Sequence, residues 1–109
     1  MVKFELTMSG KAVEEEPELR KFVEGLQLML NRMDQSHYKY GNMEDNYPDS
    51  VHAVDNVVKR TTMYQESGNT ENMLDVANFA VIEWLYPSHK KAHFKAQAAK
   101  ESPGLEFHE

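Results

Sequence analysis

The amino-acid sequence predicts an all-α fold. Three main helices form an antiparallel bundle, preceded by an extended N-terminal arm and followed by a C-terminal tail. Three observations carry this expectation. Apolar residues recur at three- and four-residue steps in three separate segments, the spacing that lines one side of an α-helix. Each of those segments is bracketed by residues that start or stop helices. The 109 residues suffice for one hydrophobic core, yet are few enough that oligomerisation would help it.

The arm comes first. Val2, Phe4, Leu6 and Met8 alternate with Lys3, Glu5 and Thr7, a period of two that reads as a short strand ended by Ser9 and Gly10. A lone strand cannot satisfy its own backbone, so it is expected to pair with another copy or to lie across the helices. The chain therefore divides into an arm (1–13), a helical core (14–86) and a basic tail (87–109) within one domain.

Glu14, Glu15 and Glu16 suit the positive end of a helix dipole, and Pro17 fits a first turn. Leu19, Phe22, Val23, Leu26, Leu30 and Met33 mark the apolar side of this first helix, expected to end near Gln35. Arg20, Glu24, Gln27, Asn31 and Asp34 form a continuous polar line on another side. Residues 36–42 read as a loop, and residues 43–48 continue it to a break at Tyr47-Pro48. Asp49 or Ser50 is the expected cap of a second helix running from about Val51 to Tyr64. Ser67-Gly68-Asn69 is a tight connection, and Asn69 or Thr70 caps a third helix that ends at Leu85 or Tyr86, before Pro87. The third helix is apolar nearly all round, which predicts packing partners on every side. Lys90, Lys91, Lys95 and Lys100 make the tail basic, with room for one short helix before Ser102-Pro103-Gly104.

Composition excludes several functions. A net charge of −6 argues against a dedicated duplex-binding protein, which needs a concentrated basic face. With no cysteine there are no disulfides and no thiolate metal sites. No stretch approaches the roughly 20 apolar residues of a membrane helix. The first residues carry no basic-then-apolar leader pattern, so the cytoplasm is the expected address. Neither Gly-x-Ser-x-Gly nor a glycine-rich phosphate loop occurs, which removes support for acyl transfer and P-loop chemistry.

Chemistry is concentrated in the third helix. Glu71, Asp75 and Asn78, spaced by four and three, stack on one face. A carboxylate inside an apolar helix must be paired, hydrogen-bonded or metal-bound, because desolvating it alone is prohibitive. Two carboxylates one turn apart suit magnesium, which takes oxygen ligands and keeps waters that a phosphate can replace. The plainer alternative is that Glu71 helps cap the helix and Asp75 pairs with an arginine from a neighbouring helix. Arg60 is one candidate for that arginine; equally, Arg60 and Tyr64 would hold a phosphate and stack a base. His52 and Asp55 share a face of the second helix, and Asp55 with Lys59 is a plausible surface ion pair. His37, Tyr38, Lys39 and Tyr40 place aromatic planes beside a cation, a combination that can hold a nucleobase and a phosphate. His89 and His93 have a zinc-compatible spacing without an evident third ligand. A solvated basic tail is the plainer reading.

The run from Gly68 to Ala80, with Asp75-Val76-Ala77-Asn78 at its centre, resembles the third-helix signature of the MazG-like all-α nucleoside triphosphate pyrophosphohydrolases. The longer stretch from Tyr40-Gly41 through Tyr47-Pro48, Arg60, Tyr64 and Asn78 to Pro87, His93-Phe94 and Ser102-Pro103-Gly104 is similar to small proteins encoded by bacteriophages. The resemblance implies a helical bundle, dimeric or tetrameric, that binds nucleotides with magnesium and cleaves between the α- and β-phosphates. Within it, Asp75 matches the last acid of an E-x-x-D motif and Asn78 the amide one turn on. The first acid falls on the neutral Asn72, with Glu71 one residue earlier, and the expected E-x-x-E motif falls on His52 and Asp55.

Three expectations follow. As an enzyme, the chain would hydrolyse a nucleoside triphosphate, with Asp75 and Glu71 as catalytic residues holding magnesium and Asp55 or Glu24 completing the metal set. Lys39, Arg60 or tail lysines would neutralise phosphate, and Asn78, Tyr64, Tyr40 and His37 would help bind the nucleotide. As a phage-type binding module, it would sequester a nucleotide, such as a signalling nucleotide of bacterial defence, unchanged in the host cytoplasm. As a purely structural bundle, its polar stripes would be hydrogen bonds between subunits of a homo-oligomer.

Overall fold

Residues 7–8, 11–12 and 17–97 are described by a computed structural model. Four helices carry the fold: α1 (Pro17–Tyr40), α2 (Met43–Asn46), α3 (Ala53–Ser67) and α4 (Glu71–Leu85). Thr7–Met8 (β1) and Lys11–Ala12 (β2) form a two-residue antiparallel ladder, Thr7 opposite Ala12 and Met8 opposite Lys11. This corrects the expectation of a lone strand, for the described part of the arm finds its hydrogen-bonding partner within the chain. Val2, Phe4, Leu6, Lys100 and Ser102-Pro103-Gly104 lie outside the described residues.

α1 is longer than its composition suggested. Polar and aromatic residues after Gln35 were expected to form a loop, but nothing there breaks a helix until Gly41, whose φ is 84°. Helical hydrogen bonding persists until the Gly41 N–H reaches the carbonyl of His37 at 2.9 Å. His37 and Lys39 in the last turn also complement the negative end of the dipole. The expected loop at 43–48 begins with a helical turn, α2. Asn46 ties that turn back to α1, its side-chain amide donating to the carbonyls of Tyr40 and Asn42, each at 3.1 Å. Tyr47-Pro48 is the break, and its peptide bond is cis.

α3 starts two residues later than Val51 and is capped by His52 instead of Asp49 or Ser50. The backbone N–H groups of Ser50 and Val51 instead reach back to the carbonyl of Asn46. The carbonyl of His52 accepts from both the backbone and the side-chain amide of Asn56. The helix runs one turn past Tyr64 because Gln65, Glu66 and Ser67 tolerate helix, and it stops where Gly68 enters the left-handed region at φ 74°. Asn69 supplies the start of α4, its side-chain oxygen accepting from the backbone N–H of Glu71 at 3.1 Å. α4 ends before Pro87, as expected. After it, no described residue through Gln97 is helical, so the short tail helix does not form there and His89 and His93 lie on exposed, irregular chain.

The short connection at Gly68 makes α3 and α4 an antiparallel hairpin. α1 crosses the other side of α4 in the reverse sense: Arg32 meets Glu71 and Asp75, and Met29, earlier in α1, meets Asn78, later in α4. α4 is thus the central helix. Its inner face carries Asp75, Asn78, Phe79 and Ile82. The opposite face carries Met73, Ala77, Ala80, Val81 and Trp84 and has no covering element among the described residues, with Trp84 67% exposed. Among the described elements, α3 and α1 make the main contacts with α4. Among the described residues the buried apolar core is Ala53 and Ile82, joined by the buried amides Asn72 and Asn78. No helix of the described residues is long and apolar enough to cross a membrane.

The positive φ of Gly68 leads to a stability prediction. A Cβ there meets no neighbouring atom, so the cost of Gly68→Ala is the backbone conformation alone, about 1–2 kcal/mol for an L-residue in the left-handed region. Urea unfolding should show that loss, and Gly68→Asn should lose clearly less.

Candidate functional site

Heptad-like spacing places Asp75 and Asn78 on the inner face of α4, Arg32 on the face of α1 that crosses it, and Arg60 on the facing side of α3. The three charged side chains meet, and Asn78 lines the same cleft. Asp75, only 12% exposed, accepts from Arg32 Nε at 2.7 Å on Oδ1 and from Arg60 Nη1 at 3.0 Å on Oδ2. Arg32 reaches Glu71 with its Nη1, 2.6 Å from Oε1. One carboxylate therefore bridges two guanidiniums from two helices, and a second carboxylate steadies one of them. Burial works against the Arg32 charge, but the hydrogen bonds and charges of Asp75 and Glu71 outweigh it and hold the group above its ordinary value.

Arg60 lies over the Phe79 ring, its guanidinium carbon 5.6 Å from the centroid. Tyr47 meets the same ring edge-on, centroids 6.4 Å apart at 62°. Arg60 Nε is sealed from solvent without an acceptor. Asn78 is buried and donates to the carbonyl of Met29 at 3.0 Å, locking α4 to α1. Burial pushes the Tyr47 phenol above its ordinary value of 10.0, the nearby Arg60 opposing.

Beside this bridge is a cleft of about 700 Å³, within the range of roughly 300–1,000 Å³ typical of small-molecule sites. Arg32, Arg60, Asp75 and Asn78 form its polar floor. The C-terminal half of α1 contributes Asp34, His37, Lys39 and Tyr40, and the segment after it Met43, Asn46 and Tyr47. Lys39 also lies over the ring of Tyr40, 5.7 Å from its centroid.

Of the residues singled out in the sequence, Asp75, Asn78, Arg60, His37, Lys39 and Tyr40 are brought together on the cleft wall. Tyr64, one turn beyond Arg60, does not line it. Glu71 lies outside it, in a shallow groove with Asn31, Asn69 and Thr70 that Arg32 also borders. Glu24 and Asp55 are exposed elsewhere on α1 and α3, so they do not join Asp75. Asp55 and Lys59, both exposed on α3, are not within ion-pair distance of each other. Among the described residues no three acidic or histidine side chains are grouped as a metal site would require. The donor set around Asp75 fits magnesium poorly, since both its oxygens already accept from cations.

Arg32, Asp34, Tyr47 and Phe79 were not singled out. A signal existed for Arg32: it is one of two arginines in the first helix, with Arg20, and a buried acid in a later helix needs a cation. Phe79 had none, since in the sequence it is one more apolar residue of α4. Compared with family models, curated proteins and solved structures, the chain matches none of them.

The phenol of Tyr47 gives a pH prediction. Its folded value lies above its unfolded one, so stability is unaffected below pH 10 and falls as pH rises from there, when the unfolded chain loses the proton first. Urea midpoints from pH 8 to 11 should fall more steeply for the natural chain than for Tyr47→Phe. Parallel curves would remove the effect.

Proposed function

We propose that the chain is a MazG-like nucleotide-binding protein and that the cleft beside the Arg32–Asp75–Arg60 bridge is where it binds. One observation carries the reading. A cavity of nucleotide size has guanidinium groups at its floor and aromatic rings on its wall, the pairing that suits phosphate on one side and a base on the other. The cleft is lined by three permanent cations, Arg32, Lys39 and Arg60, against the two carboxylates Asp34 and Asp75. In a chain of net charge −6 this is a local reversal of sign, and it favours an anion. The cytoplasm supplies such ligands, and the likeness to phage-encoded proteins extends the proposal to capture of a host signalling nucleotide.

Hydrolysis to a monophosphate and pyrophosphate is the second reading, favoured by the presence of two carboxylates, Asp34 and Asp75, on one cleft wall. It gives Asp75 and Glu71 the catalytic role and magnesium the task of activating water. Capture requires only the wall itself, so binding without turnover takes precedence. The purely structural reading has less support, because Asp75 and Asn78 satisfy their hydrogen bonds within the chain and not between subunits.

Two measurements test this. In a thermal-shift screen, a nucleoside triphosphate or cyclic dinucleotide at 100 times its Kd should add about 2.7 kcal/mol of stability, seen as a rise in Tm. Chromatography after heating should return it intact. No shift with any nucleotide would remove the binding reading, and pyrophosphate release abolished by Asp75→Ala would establish hydrolysis instead.

We also propose that the chain is a homo-oligomer, dimer or tetramer, joined through the uncovered face of α4. Trp84, Val81 and Met73 on that face are accompanied by the small Ala77 and Ala80, with no charge among them. Sedimentation should give an oligomer for the natural chain and a monomer for Trp84→Glu. A monomeric natural chain at tens of micromolar would end this proposal.

A further inference from the structure

The bridge has a second consequence, which rests on the cleft being the nucleotide site. We infer that the cleft takes a phosphate-type oxyanion directly on its arginines, with no divalent cation between protein and ligand, and that Asp75 is a positioning residue for those arginines.

Both oxygens of Asp75 are already engaged by cations: Oδ1 accepts from Arg32 Nε and Oδ2 from Arg60 Nη1. A magnesium ion needs oxygen ligands at about 2.0–2.1 Å, and on Asp75 it would sit between two guanidiniums that already neutralise that carboxylate. Glu71, the other acid on the face, is held by Arg32 Nη1. Asp34 is the remaining carboxylate on the cleft wall, and alone it is a thin ligand set for a cation.

The arginines, by contrast, have donors left over. Arg60 spends only Nη1 on Asp75, so the fork formed by Nε and Nη2 has no acceptor among the described residues. Its Nε is buried as well, and a buried donor without an acceptor is unfavourable. An oxyanion reaching that fork from the cleft, with a small shift of the side chain, relieves the cost with the two parallel hydrogen bonds that guanidinium geometry favours. Arg32 keeps Nη2 free on the same wall. Asp75 thus does for the arginines what a scaffold does: it holds Arg60 by Nη1, leaving the Nε–Nη2 edge to the ligand, and, with Glu71, holds Arg32 by Nε and Nη1. Phe79 packs against the same guanidinium, 5.6 Å from ring centroid to guanidinium carbon.

Isothermal titration of the full chain with inorganic tripolyphosphate, and with a nucleoside triphosphate found to shift its melting, separates the outcomes. Each ligand is titrated in excess EDTA and in millimolar magnesium. The Kd in EDTA should lie within about threefold of that in magnesium. Arg60→Lys keeps the charge and removes the fork, and it should weaken binding tenfold or more under both conditions. Circular dichroism of that variant confirms its fold. Asp75→Asn should weaken binding to the same degree with and without magnesium. Binding that requires magnesium and disappears in EDTA would overturn the inference while leaving the nucleotide site intact. No binding under either condition would overturn both. Unchanged affinity in a folded Arg60→Lys variant would overturn the fork as the seat.

Discussion

Asp75 carries a negative charge into a helix face that is otherwise apolar or amide, and the rest of the molecule is arranged around that fact. Left alone, a carboxylate only 12% exposed would cost several kcal/mol of desolvation. Arg32 and Arg60 come from opposite flanks of α4 to meet it, and in doing so they fix how α1 and α3 lie on the central helix. Paired charges of this kind add little net stability, because desolvating them offsets most of their attraction. Their effect is on alignment. With only Ala53 and Ile82 deeply buried among the described apolar residues, hydrophobic packing there specifies little of the geometry. Directional contacts, namely the bridge and the Asn78 amide on the Met29 carbonyl, specify more.

The architecture was legible in the sequence wherever a physical breaker or a clean period marked it. Gly68, Asn69 and Pro87 fixed the ends of α4 to within a residue, since left-handed backbone, a side-chain cap and a missing N–H each leave a distinct residue type. The end of α1 was misjudged because polarity was taken for a stop. Ser36 through Tyr40 are polar or aromatic, but none of them forbids helical backbone, and the helix continues until Gly41. The start of α3 was misplaced for a related reason. Asp49 and Ser50 are good capping residues, yet the turn at Asn46 has already claimed the backbone of Ser50 and Val51.

For the site, the need for a partner at Asp75 was readable from its neighbours in the helix, but the identity of the partner was not. Period and spacing place residues on one helix face; they do not say which faces of other helices arrive opposite. Metal binding and arginine pairing both satisfy a buried carboxylate, so one helix alone could not decide between them. The crossing of α1 supplies the arginine pairing, because that crossing delivers Arg32 to the same carboxylate that Arg60 reaches from α3. His37, Lys39 and Tyr40 were legible as potential ligands by type, and the extra helical turn that was missed is what turns them toward the cleft.

The chemistry open to the cleft follows from which groups are already spent. A metal-dependent hydrolase keeps carboxylate oxygens free to hold a cation that activates water. Here both oxygens of Asp75 already accept from guanidiniums, while guanidinium donors remain. Hydrolysis through a cation on Asp75 would draw its charge away from both arginines just as a divalent charge arrives. Anion capture requires no such exchange, since the ligand approaches the edges that Asp75 does not use. On the reading proposed above, the residue that the family likeness marks as a catalytic acid would serve by presenting its neighbours.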